Sequence, residues 1–77
     1  MLALKLQPDY ADAHNNLGIA YGEIGSLDSA IEHFQASVRL KPNDSYAHYN
    51  LAKAYEIKGL NSKAEEERNI AANLGIK

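Results

Sequence analysis

Seventy-seven residues, 45% of them apolar and 23% charged, describe one small globular domain rather than a disordered tail. Eight Lys plus Arg against ten Asp plus Glu leave a net charge of −2, the wrong balance for a nucleic-acid footprint, and the lack of cysteine excludes disulfides and thiolate metal sites. No apolar run reaches membrane-spanning length, and the opening MLALKL is too short, and too soon followed by Pro8, to be a signal peptide.

Pro8 pushes Gln7 out of the helical region, and Asp9 follows as an N-cap. A first helix over about 10–24 carries His14, Leu17, Gly18 and Tyr21 at i, i+3, i+4 and i+7, one face of an amphipathic helix. Gly25 ends it, where a residue tolerant of positive φ is useful. A second helix, over about 27–40, starts at Ser26 or Leu27 and buries a stripe of Leu27, Ala30, Ile31, Phe34 and Val38.

The same grammar then returns. Pro42 breaks the chain, Asn43 caps, and a third helix over about 44–58 repeats the face as His48, Leu51, Ala52 and Tyr55. Gly59 ends that helix, and a fourth runs over about 61–74, with Ser62-Lys63-Ala64-Glu65 as a capping box that can shift its start by a residue. Ala30 and Ala64 allow the two helices of each hairpin to approach closely. Sliding the sequence on itself by 34 aligns 77 − 34 = 43 pairs, of which twelve are identical. Ordinary residue frequencies give roughly two or three. A period of this length is the mark of a stacked repeat.

These residues resemble a known family. His14-x-x-Leu17-Gly18-x-x-Tyr21, then Ala30-x-x-x-Phe34, then Pro42, is similar to the tetratricopeptide repeat pattern, with His14 in place of the opening aromatic. The second unit keeps His48, Leu51, Ala52, Tyr55 and Ala64 but has Arg68 for the Phe and Ile76 for the Pro. The resemblance implies an all-α fold of antiparallel helix–turn–helix repeats stacked as an α-solenoid. It divides one domain into a partial repeat (1–10), a repeat (11–44) and a terminal repeat (45–77). Residues 1–10 then read as the last turns of an earlier helix. With Met1 opening inside that helix, the chain reads as a piece cut from a longer array.

The two ends differ. Ala64 to Asn69, "AEEERN", gives the last helix a polar outer face, as a terminal repeat requires. Leu2, Leu4 and Leu6 have no hairpin partner in the chain, and at ~1.5–3 kcal/mol for each buried Leu they point to a homodimer that covers them. Expected to be buried are Leu17, Tyr21, Ala30, Phe34, Leu51 and Tyr55.

Chemistry is sparse. His14 and His48 lie one repeat apart on the packing faces, on helices ~8–10 Å apart, too far to share an ion held at ~2.0–2.1 Å. They read as polar-tipped rings in the aromatic slot, His33 as exposed, and Glu65, Glu66 and Glu67 as pointing around their helix. No nucleophile–base pair and no glycine-rich phosphate loop occurs in the sequence. Neither metal nor cofactor is expected, and no catalysis.

A second stripe flanks each core face: Asp12, Asn15, Asn16, Ile19 and Glu23 on the first helix, and Tyr46, Tyr49, Asn50, Lys53 and Ile57 on the third. The resemblance implies that this stripe lines a concave groove for a peptide. Asparagines placed like Asn16 and Asn50 form a ladder along an extended peptide in some members of the family. A primary amide offers a peptide unit both donor and acceptor; the plainer alternative is a hydrogen bond to a neighbouring side chain. Tyr46, Tyr49 and Lys53 pair rigid amphipathic area with a cation, or simply pack on a neighbouring helix. The carboxylate clamp of chaperone-binding members is not matched, since Asn15 stands for its Lys and Ile19 for its Asn; only Asn50 agrees.

The function expected is therefore non-catalytic protein–protein interaction, by peptide capture or self-association. The competing reading is a regulatory or scaffolding segment of a larger, enzymatic multi-repeat protein. RNA binding by a related helical repeat is disfavoured by the acidic balance. The sequence names no compartment, and the cytoplasm is the default.

Overall fold

The computed structural model describes residues 9–75, and the partial repeat with its three leucines lies outside them. Four helices follow one another: α1 (Asp9–Glu23), α2 (Leu27–Leu40), α3 (Ser45–Lys58) and α4 (Asn61–Leu74). They stand within a residue or two of the sequence expectation, because prolines and glycines punctuate the chain between them. Gly59 at φ 90° caps α3 and donates its N–H to the carbonyls of Tyr55 and Glu56. In the equivalent turn Gly25 takes φ 86°. A side chain there would be strained, so both hairpins turn on glycine.

The caps differ in detail from expectation. Asp44, not Asn43, caps α3, its Oδ1 accepting from the Tyr46 N–H at 3.0 Å. The capping box at Ser62 does not form, since α4 begins at Asn61 after Leu60 and Ser62 is already inside the helix.

α1 packs on α2 and α3 on α4, and α2 joins the hairpins by packing on α3. The core at that junction holds Ala30, Ile31 and Phe34 of α2, Leu51, Ala54 and Tyr55 of α3, and Ala64 of α4. Ile19, Tyr21 and Val38 border it. Ala30 and Ala64, with no exposed surface, sit where the helices of each hairpin come closest. Gly18 serves the same approach in α1: a Cβ there would stand 2.6 Å from Cε1 of Phe34.

Two of the six expected core residues are not buried. Leu17 is 45% exposed although its repeat mate Leu51 is 2% exposed. Leu51 is covered by the preceding hairpin, whereas no described residue precedes α1. Tyr21 is half-buried, its ring parallel to His33 at a centroid spacing of 5.3 Å.

Polar clasps tie the helices side to side. Ser37 donates to the buried carbonyl of Ala11 at 3.0 Å, and Gln35 donates to the Tyr55 hydroxyl at 2.8 Å. Lys58 meets Asp28 at 2.6 Å, and Arg68 lies 3.5 Å from Glu56. Both ion pairs are well exposed and stabilise by ~1 kcal/mol at most.

Candidate functional site

The pitch of two stacked hairpins leaves a groove between α1 and α3, floored by α2. It encloses about 320 Å³. Ile19, Gly22 and Glu23 line it from α1, and Tyr46, Asn50, Lys53 and Ile57 from α3, over Phe34 and Ala30. Two of the lining pairs are repeat mates, Ile19 with Lys53 and Glu23 with Ile57, each 34 residues apart.

Six of the ten stripe residues thus come together: Ile19, Glu23, Tyr46, Asn50, Lys53 and Ile57. Asp12, Asn15, Asn16 and Tyr49 do not line the groove. Asp12 lies 3.8 Å from Lys41, and Asn16 is exposed. Asn15 is buried and accepts a hydrogen bond of 3.1 Å from Asn50. Tyr49 lies under the ammonium of Lys53, 5.9 Å from Nζ to the ring centroid, a cation–π contact that steadies the lysine.

The groove has an apolar floor and a charged rim. Ile57 is 68% exposed, an aliphatic side chain held to solvent at the mouth. Gly22 leaves the α1 wall open, since a Cβ there would meet nothing within 4 Å. Sequence reading passed over Gly22, Leu27 and Phe34 as groove residues. The repeat offset could have found Gly22, whose mate Glu56 shows that the fold does not require glycine there.

No nucleophile is set beside a base in this groove. Among the described residues no three metal-ligating side chains converge. Two histidine arrangements lie elsewhere, and the sequence foresaw neither the partner of His14 nor that of His48. His33, expected to be exposed, is half-buried and meets His14 at 3.0 Å between their Nδ1 atoms. The ring centroids are 5.2 Å apart at 28°, a spacing that places the rings edge to edge, nitrogen facing nitrogen. An ion ~2.0–2.1 Å from both nitrogens would lie off the line of both lone pairs, so the geometry is that of an N–H···N hydrogen bond. His48 is buried, with Nδ1 2.6 Å from Oε1 of Glu67 and Nε2 2.8 Å from the Pro42 carbonyl. Glu67 is thereby turned inward, out of the solvated row that Glu65 and Glu66 keep.

The decisive likeness is in the repeat itself. The TPR repeat model matches residues 3–25 and 23–59. The chain belongs to the tetratricopeptide repeat family. Among solved structures it is similar to MamA, whose crystal structure matches it with a TM-score of 0.81 at 35% identity. The match covers 94% of this chain and 42% of the MamA chain, so this chain spans less than half the length of that relative. The fold is an all-α tetratricopeptide solenoid, and in general terms the chain is a protein–protein interaction module of a typically non-catalytic kind. No helix among the described residues is long and apolar enough to cross a membrane.

Proposed function

We propose that this tetratricopeptide chain captures a peptide segment of a protein partner in the groove between α1 and α3, without catalysis, metal or cofactor, and that it also self-associates. The observation that carries peptide capture is Gly22. Glycine near the end of a helix costs up to about 1 kcal/mol relative to alanine. Among the described residues nothing needs the space, because a Cβ at Gly22 meets no atom of them within 4 Å. The space is on the groove side, where an incoming peptide can approach the α1 backbone. Ile19, Ile57 and Phe34 offer it apolar contact, and Lys53 and Glu23 offer opposite charges at the rim.

The test is selection from a random twelve-residue peptide library displayed on phage, followed by fluorescence anisotropy with the selected peptides. Gly22→Leu fills the groove without touching the core. Peptides that bind the native chain should lose at least tenfold in affinity to Gly22→Leu, while its melting temperature holds or rises. Failure to select any peptide, or equal binding by the variant, rejects the groove as the capture site.

A second reading, a scaffolding segment within a longer multi-repeat protein, is supported by one observation. The chain matches 42% of a longer tetratricopeptide chain. It differs from the first reading in what lies beyond this segment, not in what the groove does.

A further inference from the structure

α1 and α3 carry the same docking face, and only one of the two is covered. Ala13, His14, Asn16, Leu17, Ala20 and Tyr21 recur 34 residues on as Ala47, His48, Asn50, Leu51, Ala54 and Tyr55. All six are buried in α3, and not one is buried in α1. The α1–α2 hairpin makes the difference. α3 shares a core with Ile31, Phe34 and Val38 of α2, Tyr55 accepts from Gln35, and Asn50 donates to Asn15. Among the described residues nothing covers the α1 face. Its covered twin shows what such a face accepts: apolar side chains packed along the length of a helix.

The far end of the same molecule does not supply that cover. The repeat mates of Ile31, Phe34, Gln35 and Val38 are Glu65, Arg68, Asn69 and Ala72, all exposed on α4, and the mate of Asn15 is Tyr49. Stacking one copy's α1 on another's α4 would bury a carboxylate and a guanidinium against Leu17, a desolvation that apolar contact does not offset. Head-to-tail growth into a filament is closed off.

α1 fits a second α1 instead. Tyr10, Ala13, Leu17, Ala20 and Ile24 follow at alternate spacings of three and four, the seam of two heptads, and all five are exposed. Ile24 lies just past the helix, yet its N–H still donates to the Ala20 carbonyl at 3.3 Å, which keeps it in helical register. Large residues hold one heptad position and alanines the other. Run antiparallel, such a seam sets large side chains over alanines of the facing helix. Two registers achieve this, one leaving Ile24 overhanging and the other Tyr10. Ile24 is 73% exposed and wholly apolar, whereas the Tyr10 hydroxyl keeps a bond to water, so the register that covers Ile24 wins.

Given the self-association proposed above, we infer that two copies dock α1 on α1, antiparallel about a two-fold axis. Leu17 then rests on Ala20, and Ile24 on Ala13, of the other copy. The dimer is closed, because each polar α4 is left facing solvent. None of the five seam residues lines the peptide groove, whose α1 residues Ile19, Gly22 and Glu23 stand on the opposite side of the helix. Both grooves therefore stay open.

The test begins with sedimentation equilibrium of the native chain at tens of micromolar, where a dimer is expected. Leu17→Glu and Leu17→Lys should each weaken association at least tenfold, with helical circular dichroism unchanged. Mixed one to one, the two variants should restore the dimer, because a two-fold seam brings residue 17 of one copy beside residue 17 of the other. Isotope-filtered spectra of mixed labelled and unlabelled native chain add a check that needs no variant. The methyls of Ala13 and Ile24, about 16 Å apart along one helix, should show a cross-peak between copies. If a variant unfolds, that cross-peak alone decides. A native monomer overturns self-association and this dimer with it. A native dimer that lacks the cross-peak, or whose two disruptive variants fail to pair when mixed, overturns the α1 seam and leaves self-association standing.

Discussion

Asn50 donates its side-chain amide to Oδ1 of Asn15 across 3.1 Å, from α3 to α1, with 9% and 8% of the two residues left exposed. The register is offset from the repeat. Asn16, not Asn15, is the mate of Asn50, so position 15 of one unit pairs with position 16 of the next. Asn16 accordingly lies on the side of α1 that would face an earlier unit, and it is exposed.

Substituting the two asparagines should therefore give unequal results. Asn50→Ala strands a buried acceptor on Asn15 and should cost about 1–3 kcal/mol. Asn16→Ala leaves nothing unpaired and should stay within about 0.5 kcal/mol. Urea unfolding of both variants measures the difference. Equal losses would mean that the amide pair is not part of what joins the hairpins, and a peptide ladder built on both residues would regain its footing.

The glycines of α1 offer a second contrast. Gly18→Ala drives a methyl to 2.6 Å from the Phe34 ring, inside the core, and overpacking of that kind costs about 1–3 kcal/mol. Gly22→Ala meets nothing and should stabilise by a few tenths to about 1 kcal/mol. The second unit supports the pairing of Gly18 with Phe34: Ala52 replaces the glycine, and Arg68 replaces the ring. Thermal melts of the two alanine variants should move in opposite directions. A rise for both would mean that the ring yields readily.

How much of this was legible in the sequence depends on whether a residue's partner is local. Helix ends were legible because Pro42, Gly25 and Gly59 act through their own backbone. Phe34, Leu51 and Tyr55 were legible as core because their spacing marks an inward face. Leu17 was not: the repeat gives it the identity of Leu51, but burial depends on what precedes α1. The clasps were hidden for a related reason, since His14 and His33 meet only after the hairpin closes. The one available signal was the offset of 34, which sets His33 opposite Glu67.

Core truncations should follow burial rather than repeat identity. Phe34→Ala should cost about 3–5 kcal/mol and Leu51→Ala about 2–5 kcal/mol, each enough to unfold much of so small a domain. Leu17→Ala, at 45% exposure, should lose well under half of what Leu51→Ala loses. Chemical denaturation of the pair checks the ranking. A Leu17 variant as damaged as the Leu51 variant would show that an intramolecular neighbour covers that face.

That same face bears on self-association. Tyr10, Ala13, Leu17 and Ala20 are exposed along one side of α1, with Ile24 just past its end. Large exposed apolar stripes mark association sites, and two repeats fall short of the three or so at which solenoids usually stand alone. A second copy packing α1 on α1 about a two-fold axis would cover both stripes at once. Leu17→Glu should then shift sedimentation equilibrium at tens of micromolar from dimer to monomer and remove the rise of melting temperature with concentration. The charge costs little in the monomer, where Leu17 is already half in solvent. A native chain that sediments as a monomer, and melts alike at all concentrations, would instead assign the stripe to residues of its own chain.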